Sequence, residues 1–424
     1  MADFYFLRYI DNMRRIYLDY ASLTPVDPRV TAEIKKYSTQ EYANSSSLYK
    51  EGVSARTVIE SSRKKVSDML HALPDEIVFT SGGTEANGLA LEGVGRAAHR
   101  NGFTKPHLII SDIEHSSIRE YAAMMEKHGV EVTRVAVGAD GIVSAEDIKK
   151  AIRPETFLVS IMYVNNEIGT VQPIREIAKV IRQARKEFSK EGEDRRYPLF
   201  HTDACQAPLH LDMNVSQLGV DMITLDGGKV YGPRGVGCLY VRRGTPIEPI
   251  MYGGGQERGL RSGTENVAGI AGFARALELA TIMKEKESQR IGELRDFFIE
   301  ELQKIKPGIT VNPRVFSNSD RGVEDKDFSK IAKMAEVTRK VVTSPHILNV
   351  SIPGIDNEFL LFQLDAGGVA VSTKSSCLRD EDESYVLKAL GADTTTSIRF
   401  SFGRWTKKGH ICSTLKIVKK LLNK

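Results

Sequence analysis

Residues 198–240 read PLFHTDACQAPLHLDMNVSQLGVDMITLDGGKVYGPRGVGCLY, and the fold of the chain turns on them. They contain two short apolar runs, Pro198 to Thr202 and Val220 to Leu225, each ending in an acidic residue and then a turn of small residues. Buried parallel strands end in this way. In open α/β sheets ligands sit beyond the carboxyl ends of the strands, so Asp203, Gln206, Asp226 and Lys229 are expected to converge on one crevice. Lys229 has Gly227, Gly228 and Gly232 around it, which gives its amine access and a pliant backbone. A lysine taken at random is a solvated surface group; the DAxQ turn upstream is what singles this one out.

Working outward, Ile16 to Leu18 is a short strand before DYASLTPVDPRV, where Pro25 and Pro28 mark a turn into a helix. The polar segment EYANSSSLYKEGVSA follows, then an amphipathic helix from about Ser54 to Leu70. Strand IVFT meets SGGTEANGLALEGVG, a glycine turn and helix start with Thr84 and Glu85 in its first positions. Exposed amides at such a start, with a threonine hydroxyl, make a phosphate cup; the alternative is ordinary capping. It is no Walker loop, because GK[ST] does not follow. Gly93 to Ala98 fits GxGxx[GA] formally, but it lies late in a helix, so a dinucleotide reading fails on context.

Strands HLIIS, VTRVAV and FLVSIMYV then alternate with helices that start near His115, at Ser144, and at Ile174, the last running to about Phe188. That alternation predicts a mostly parallel sheet with right-handed crossovers. His115 stands at a strand-to-helix junction, where a histidine is usually a cap or a surface group. Asn165, Asn166 and Glu167 stand at another strand end, on the edge expected for Asp203 and Lys229. After Lys229, GVGCLYVRRG is an antiparallel strand, and MYGGGQERGLRSGTENVAG supplies glycines, Arg258, Arg261 and Thr264 before a long helical region to about Lys304. Its glycines suggest close backbone approach, and a partner subunit is one candidate for what approaches. Composition shifts near Lys306. Strands HILNVSIP, VAVST and SIRFSFG, with three helices between and after them, build a compact α+β unit, and Ser317 to Thr343 is an exposed insertion.

At 424 residues with 41% apolar content, two or more domains are expected of a soluble globular protein. The net charge of +4 is too mild and evenly spread to argue for nucleic acid, and the basic tail KIVKKLLNK suits a helix C-terminus. Cys205, Cys238, Cys377 and Cys412 show no CxxC pairing and no zinc or disulfide spacing, which points to a reducing compartment. No 18-residue apolar run and no signal-peptide core occurs. The expectation is a cytoplasmic protein without membrane, metal or direct nucleic-acid contacts.

The motifs YLDYASLTPVDPRV, FTSGGTEANGLAL, EHSSI, VSIMYVNNEIGTVQPI, HTDACQA, GGKVYGPRGVGCLYVRRG, GGGQERGLRSGTENV, SSC and SIRFSFGR run in order almost end to end. With them the chain resembles the cysteine desulfurases of NifS/IscS type, in the class V aminotransferase superfamily of pyridoxal 5'-phosphate (PLP) enzymes of fold type I. The resemblance implies an α/β large domain, residues 21–285, with a mostly parallel mixed sheet flanked by helices. It also implies a smaller α+β C-terminal domain, residues 286–424 with the insertion at about 317–343, and an N-terminal segment 1–20. Lys229 would hold PLP as a Schiff base and Asp203 would pair with its ring nitrogen. Gln206 would bond the phenolic oxygen, His115 would stack on the ring, and Asn166 would lie near ring and substrate. Gly83 and Thr84 would cradle the phosphate, joined by Thr264 from the second subunit of a homodimer. Arg399 would take the substrate carboxylate in a bidentate fork, helped by Asn44. Cys377 would be the thiol that attacks the sulfur of bound L-cysteine, leaving alanine and a persulfide destined for an iron-sulfur scaffold or tRNA-thiolation enzyme. Cys205 and Cys238 are expected to be small core residues, and Cys412 a structural one.

The pattern also departs from the family. Where the family usually has Ser-Gly-His before the lysine, this chain has Asp226-Gly227-Gly228, so two phosphate donors are lost and a carboxylate is placed near an anion. The cysteine loop reads STKSSC for the more usual SSGSAC, and ANSSS stands for GNPSS. Two alternatives stay open: another reaction of the same superfamily (selenocysteine lyase or aminotransferase), or a cofactor-poor paralogue that only binds.

Overall fold

The computed structural model describes residues 15–189, 196–313, 342–373 and 383–422. Among these, seven strands form one sheet: β2 (Ile77–Thr80), β3 (His107–Ser111), β4 (Glu131–Val135), β5 (Thr156–Ser160), β6 (Leu199–Asp203), β7 (Met222–Asp226) and β8 (Gly237–Val241). Their spatial order is β2-β8-β7-β6-β5-β3-β4; β8 is antiparallel to both its neighbours and the remaining pairs are parallel. The strands alternate between two cores. Phe200, Ile223 and Leu225 face one, with Ile177 and Ile181 of the helix Ile174–Phe188, while Leu199 and Met222 face the other, with Leu89, Val94 and Ile118. A strand covered by helices on both faces needs apolar residues at every position, which is why these runs lack polar alternation.

The helices of this lobe follow the sequence reading closely. They are α1 (Pro28–Thr39), α2 (Lys50–Leu70), α3 (Gly83–Arg100), α4 (Ser116–Lys127), α5 (Ala145–Ala151), α6 (Ile174–Phe188) and the short α7 (Val215–Leu218). The segment 93–98 lies inside α3, so its glycines serve packing: a Cβ on Gly93 would come within 2.5 Å of the Glu248 carbonyl. Helix α2 starts four residues before the expected Ser54, at Lys50, because Gly52 and Val53 continue the turn without a competing cap.

A 39-residue helix, α8 (Val267–Ile305), about 58 Å long, joins the two lobes. Its first half buries Ile270, Phe273 and Leu277 in the large-lobe core, and its second half buries Ile291, Phe298 and Leu302 in the small-lobe core. The small lobe has a three-stranded antiparallel sheet in the order β12-β10-β9, made of β9 (Thr310–Asn312), β10 (Ile347–Ser351) and β12 (Ser397–Ser401). Helices α9 (Asn357–Ala366), α10 (Tyr385–Ala389) and α11 (Lys408–Leu422) accompany it. Strand β9 has no counterpart in the sequence reading, being three residues long and followed by proline. Of the expected strand VAVST, only β11 (Val369–Ala370) is regular, and it pairs in parallel with β1 (Ile16–Tyr17). The N-terminal strand thus packs with the C-terminal lobe, where Ile16 and Leu18 join the core of Phe298 and Phe400. The insertion expected at 317–343 lies outside the described residues except for Val342 and Thr343, which pair with Val171 and Thr170.

Phe298 packs edge-on against Phe400 and Phe402, with ring centroids 4.9 and 5.9 Å away, directly beneath the strand that carries Arg399. Phe298→Ala removes a fully buried ring from that contact. It is expected to lower stability by about 3–5 kcal/mol, read as a drop in the urea midpoint; a loss under about 1 kcal/mol would mean that helix α8 does not pack into this core.

Candidate active site

Strand β7 ends at Asp226 and runs directly into a single 3-10 turn, Gly227–Lys229, which projects Lys229 over the carboxyl edge of the sheet. Gly227 is required there, since a Cβ would meet the Pro233 carbonyl at 2.5 Å. The N-terminal stretch wraps the turn: Thr24 donates from its amide and its hydroxyl to the Gly228 carbonyl, and its hydroxyl accepts from the Tyr231 amide. Lys229 Nζ donates to the carbonyls of Ala21 (3.0 Å) and Ser22 (2.5 Å). Gln206 Nε2 donates to the same Ala21 carbonyl at 2.8 Å. Behind it, Gln206 Oε1 lies 3.2 Å from His346 Nε2, and His346 Nδ1 lies 2.7 Å from Ser344 Oγ. Burial holds His346 well below the usual histidine range, with His210 stacked at 4.6 Å and adding to the effect. His346 is therefore neutral and works as a hydrogen-bonding brace.

Asp203 closes β6. One of its oxygens accepts from the Cys205 amide at 3.0 Å and the other from Asn87 Nδ2 at 2.8 Å. Asn87 donates its second hydrogen to Ser117 Oγ at 2.8 Å, and Ser117 bonds His115 Nδ1 at 2.8 Å and 3.2 Å through its hydroxyl and its amide. With two donors on Nδ1, the His115 proton belongs on Nε2. His115 is the N-cap of α4, as its junction position suggested, and the same contacts tie it through Ser117 and Asn87 to Asp203. The Oδ1 of Asn87 is buried with no hydrogen-bond partner among the described residues. Sequence reasoning gave Asn87 and Ser117 no role, although both lie inside quoted motifs; the signal was their place in the first turns of two helices, Asn87 fifth in α3 and Ser117 second in α4.

Arg399 is carried by β12 and is 1% exposed. It donates to Asp19 Oδ1 (2.8 Å), Ser22 Oγ (2.7 Å) and the Asn166 carbonyl (2.8 Å). Asn166 therefore meets Arg399 through its backbone. Lys229, Gln206 and Arg399 come together on residues 19–22, and Asp203 and His115 are linked through Asn87 beside them. Asn44 and Thr264 are exposed, one residue away from Ser45 and Glu265, which bond each other at 2.7 Å. Among the described residues no contact ties them to the Lys229 cluster. Cys377 lies outside the described residues.

At the start of α3, Gly82 adopts φ +150°, a conformation open mainly to glycine, and this aims the Gly83 amide outward. That amide donates to Asp226 Oδ2 at 2.8 Å, and Asp226 Oδ1 accepts from the Gly228 amide at 2.8 Å. Cys205 lies against the same spot, since a Cβ on Gly83 would be 2.9 Å from its Sγ. Cys205 thus lines the cup rather than filling core, whereas Cys238 is fully buried in β8, as expected. Burial, with Asp203 and Asp226 beside it, pushes the Cys205 thiol well up, so it stays protonated.

These features have counterparts. A class-V aminotransferase family profile matches residues 16–323. The cysteine desulfurase IscS of Dictyoglomus turgidum is 39% identical over 417 residues, covering 97% of this chain and 95% of that protein. Among solved structures, a NifS-like protein superposes with a TM-score of 0.82 at 31% identity, covering 96% of this chain and 99% of that one. The structure of SspA in complex with cysteine superposes at 0.71 and 31% identity, over 91% and 98% of the two chains. The chain belongs to the class-V aminotransferase family, and within it to the cysteine desulfurases. Its fold is that of the PLP-dependent type I enzymes, and PLP is its cofactor.

The residues present fit that group at its ring end: a reachable amine, an acid, an amide and an imidazole lie together, with an unpartnered Asn87 oxygen next to the acid. At the phosphate end the Gly83 amide faces the crevice, but a carboxylate of this chain now lies on it.

Glu114 is fully buried next to the site, where its Oε1 accepts from Ser111 Oγ and the Met162 amide. Burial pushes its pKa up to about 8, and the nearby Asp203 charge adds to the rise. The folded protein therefore keeps Glu114 protonated at pH values where the unfolded chain, near 4.5, has released the proton. The stability this gives is full below about pH 4.5 and is lost as pH rises through 8. Glu114→Gln, which copies the protonated shape, is expected to flatten the fall in melting temperature between pH 5 and 8; an unchanged slope would show that Glu114 is ionised in the fold.

Proposed function

We propose that the protein takes L-cysteine, releases L-alanine, and carries the sulfur away as a persulfide on Cys377. The observation that supports this most is the meeting of Lys229, Gln206 and Arg399 on one short stretch, with Asp203 beside it. PLP, when bound, supplies an electron sink. Lys229 Nζ would hold the cofactor through its carbonyl carbon, and the same amine would serve as the base for the proton on the substrate Cα. Asp203 keeps the ring nitrogen protonated, Gln206 fixes the phenolic oxygen, and His115 covers the ring. Arg399 releases Asp19 and Ser22 to fork onto the substrate carboxylate, with Asn166 and Asn44 nearby. Gly83 and Thr84 take the phosphate, and a second copy of the chain supplies Thr264.

The Cys377 thiolate attacks the substrate sulfur. The S–S bond forms as the substrate C–S bond breaks, the electron pair of that bond stays with the carbon, and protonation there completes the methyl group of alanine. Cysteine and thiol thus become alanine and persulfide without an external oxidant or reductant. Reach supports the assignment. Ser372 pairs with Arg399, and Ser384 donates to Glu167 next to Asn166, so both anchors of the segment bearing Cys377 lie at the substrate arginine. From residue 372 to residue 377 the chain spans at most about 18 Å.

The sulfur passes on to an acceptor thiol of iron-sulfur assembly or tRNA thiolation. Exposed Tyr42, Leu48, Tyr49, Met251 and Tyr252 suit a homodimer contact. Free Cys205, Cys238 and Cys412 suit the reducing cytoplasm.

Cys377→Ser is expected to lower alanine formation from L-cysteine by about 100-fold or more while the protein still takes up PLP; full activity would rule out the persulfide route. Activity confined to selenocysteine, or to amino-group exchange, would move the chain to another reaction of its family.

A further inference from the structure

The Asp226 carboxylate sits where an anion would sit. It bridges the Gly83 amide, first residue of the 18-residue helix α3, and the Gly228 amide, each at 2.8 Å. Its hydrogen bonds come from these two amides, at the positive end of α3. Those same groups stabilise a bound phosphate. The turn is close-set around it: a Cβ at Gly82 would lie 3.0 Å from Asp226 Oδ2, and one at Gly83 would lie 2.9 Å from Cys205 Sγ.

We propose that Asp226 is a built-in competitor for the cofactor's phosphate: its carboxylate holds the phosphate seat in the cofactor-free protein and must be displaced when PLP enters. The cost falls on the phosphate alone, because Lys229, Asp203 and Gln206, which meet the ring, lie on other partners. The protein therefore distinguishes PLP from phosphate-free pyridoxal less than a helix start with free amides would, and its cofactor exchanges more readily. Gly228 contributes by supplying an amide where a side chain could have donated to phosphate. The inference rests on the seating of phosphate at Gly83 and Thr84 given above.

The test uses the full chain freed of cofactor, as wild type and as Asp226→Ser. Titrations with PLP and with pyridoxal are followed by the visible absorbance of the lysine-bound form. Asp226→Ser is expected to bind PLP at least about 10-fold tighter, with pyridoxal affinity unchanged. Without cofactor, the variant is expected to melt a few degrees lower, because α3 loses its cap, and inorganic phosphate should raise its melting temperature but not that of wild type. Asp226→Asn, which keeps the size and removes the charge, checks the result should the serine variant misfold, and is expected to tighten PLP in the same direction. An unchanged PLP-to-pyridoxal ratio in both variants, or phosphate stabilising wild type equally, overturns the proposal and leaves the role of Lys229 standing. Failure of every form to take up PLP overturns both.

Discussion

Four residues near the N-terminus, Asp19 to Ser22, hold the crevice together. Their carbonyls receive Lys229 and Gln206 from the large lobe, and the Asp19 carboxylate and Ser22 hydroxyl receive Arg399 from the small one. Backbone carbonyls are fixed acceptors that cannot rotate away, so they set the register of the amine and the amide. Arg399, fully buried, would be a costly charge without the Asp19 carboxylate. The strap is in turn set by Thr24, which fastens it to the lysine turn, and by Asp27, which caps α1 and pairs with Arg404 of the small lobe.

A second level of support lies behind the side chains that face the crevice. Asn87 spans from Asp203 to Ser117 and so orients His115, while His346 steadies Gln206 from a dry, neutral position. Buried networks of this kind hold a geometry only when their members are satisfied. The open Oδ1 of Asn87 is the exception, and it belongs to the side chain that donates to Asp203.

Much of this was legible in the amino-acid sequence, for identifiable reasons. The strands IVFT and HLIIS and the helix Ile174–Phe188 coincide with the structure because the first two are unbroken apolar runs next to Gly82 and Pro106, and the third is an amphipathic run entered through Pro173. The convergence of Lys229, Asp203 and Gln206 followed from strand ends on one edge of a parallel sheet. What the sequence concealed was non-local: the pairing of Ile16–Tyr17 with Val369–Ala370, the three-residue β9, and the brace from His346 to Gln206. Asp226 stood out as a departure from the family, yet only coordinates reveal that it bends toward Gly83 instead of away. Cys205 was read as core because a small apolar residue after a strand usually is, while here it is only partly buried and borders Gly83 at the start of α3.

The parallel pairing of β1 with β11 also bears on how the molecule is made. Strand β1 has its partner about 350 residues further along the chain, at Val369–Ala370, and the strap that follows it waits for Arg399. Contacts so distant along the chain are the last to close. The large lobe can gather its helices during synthesis, whereas the crevice gains its small-lobe wall only once β12 has been made, so a product cut short before β12 would have a folded sheet and an open, incomplete crevice.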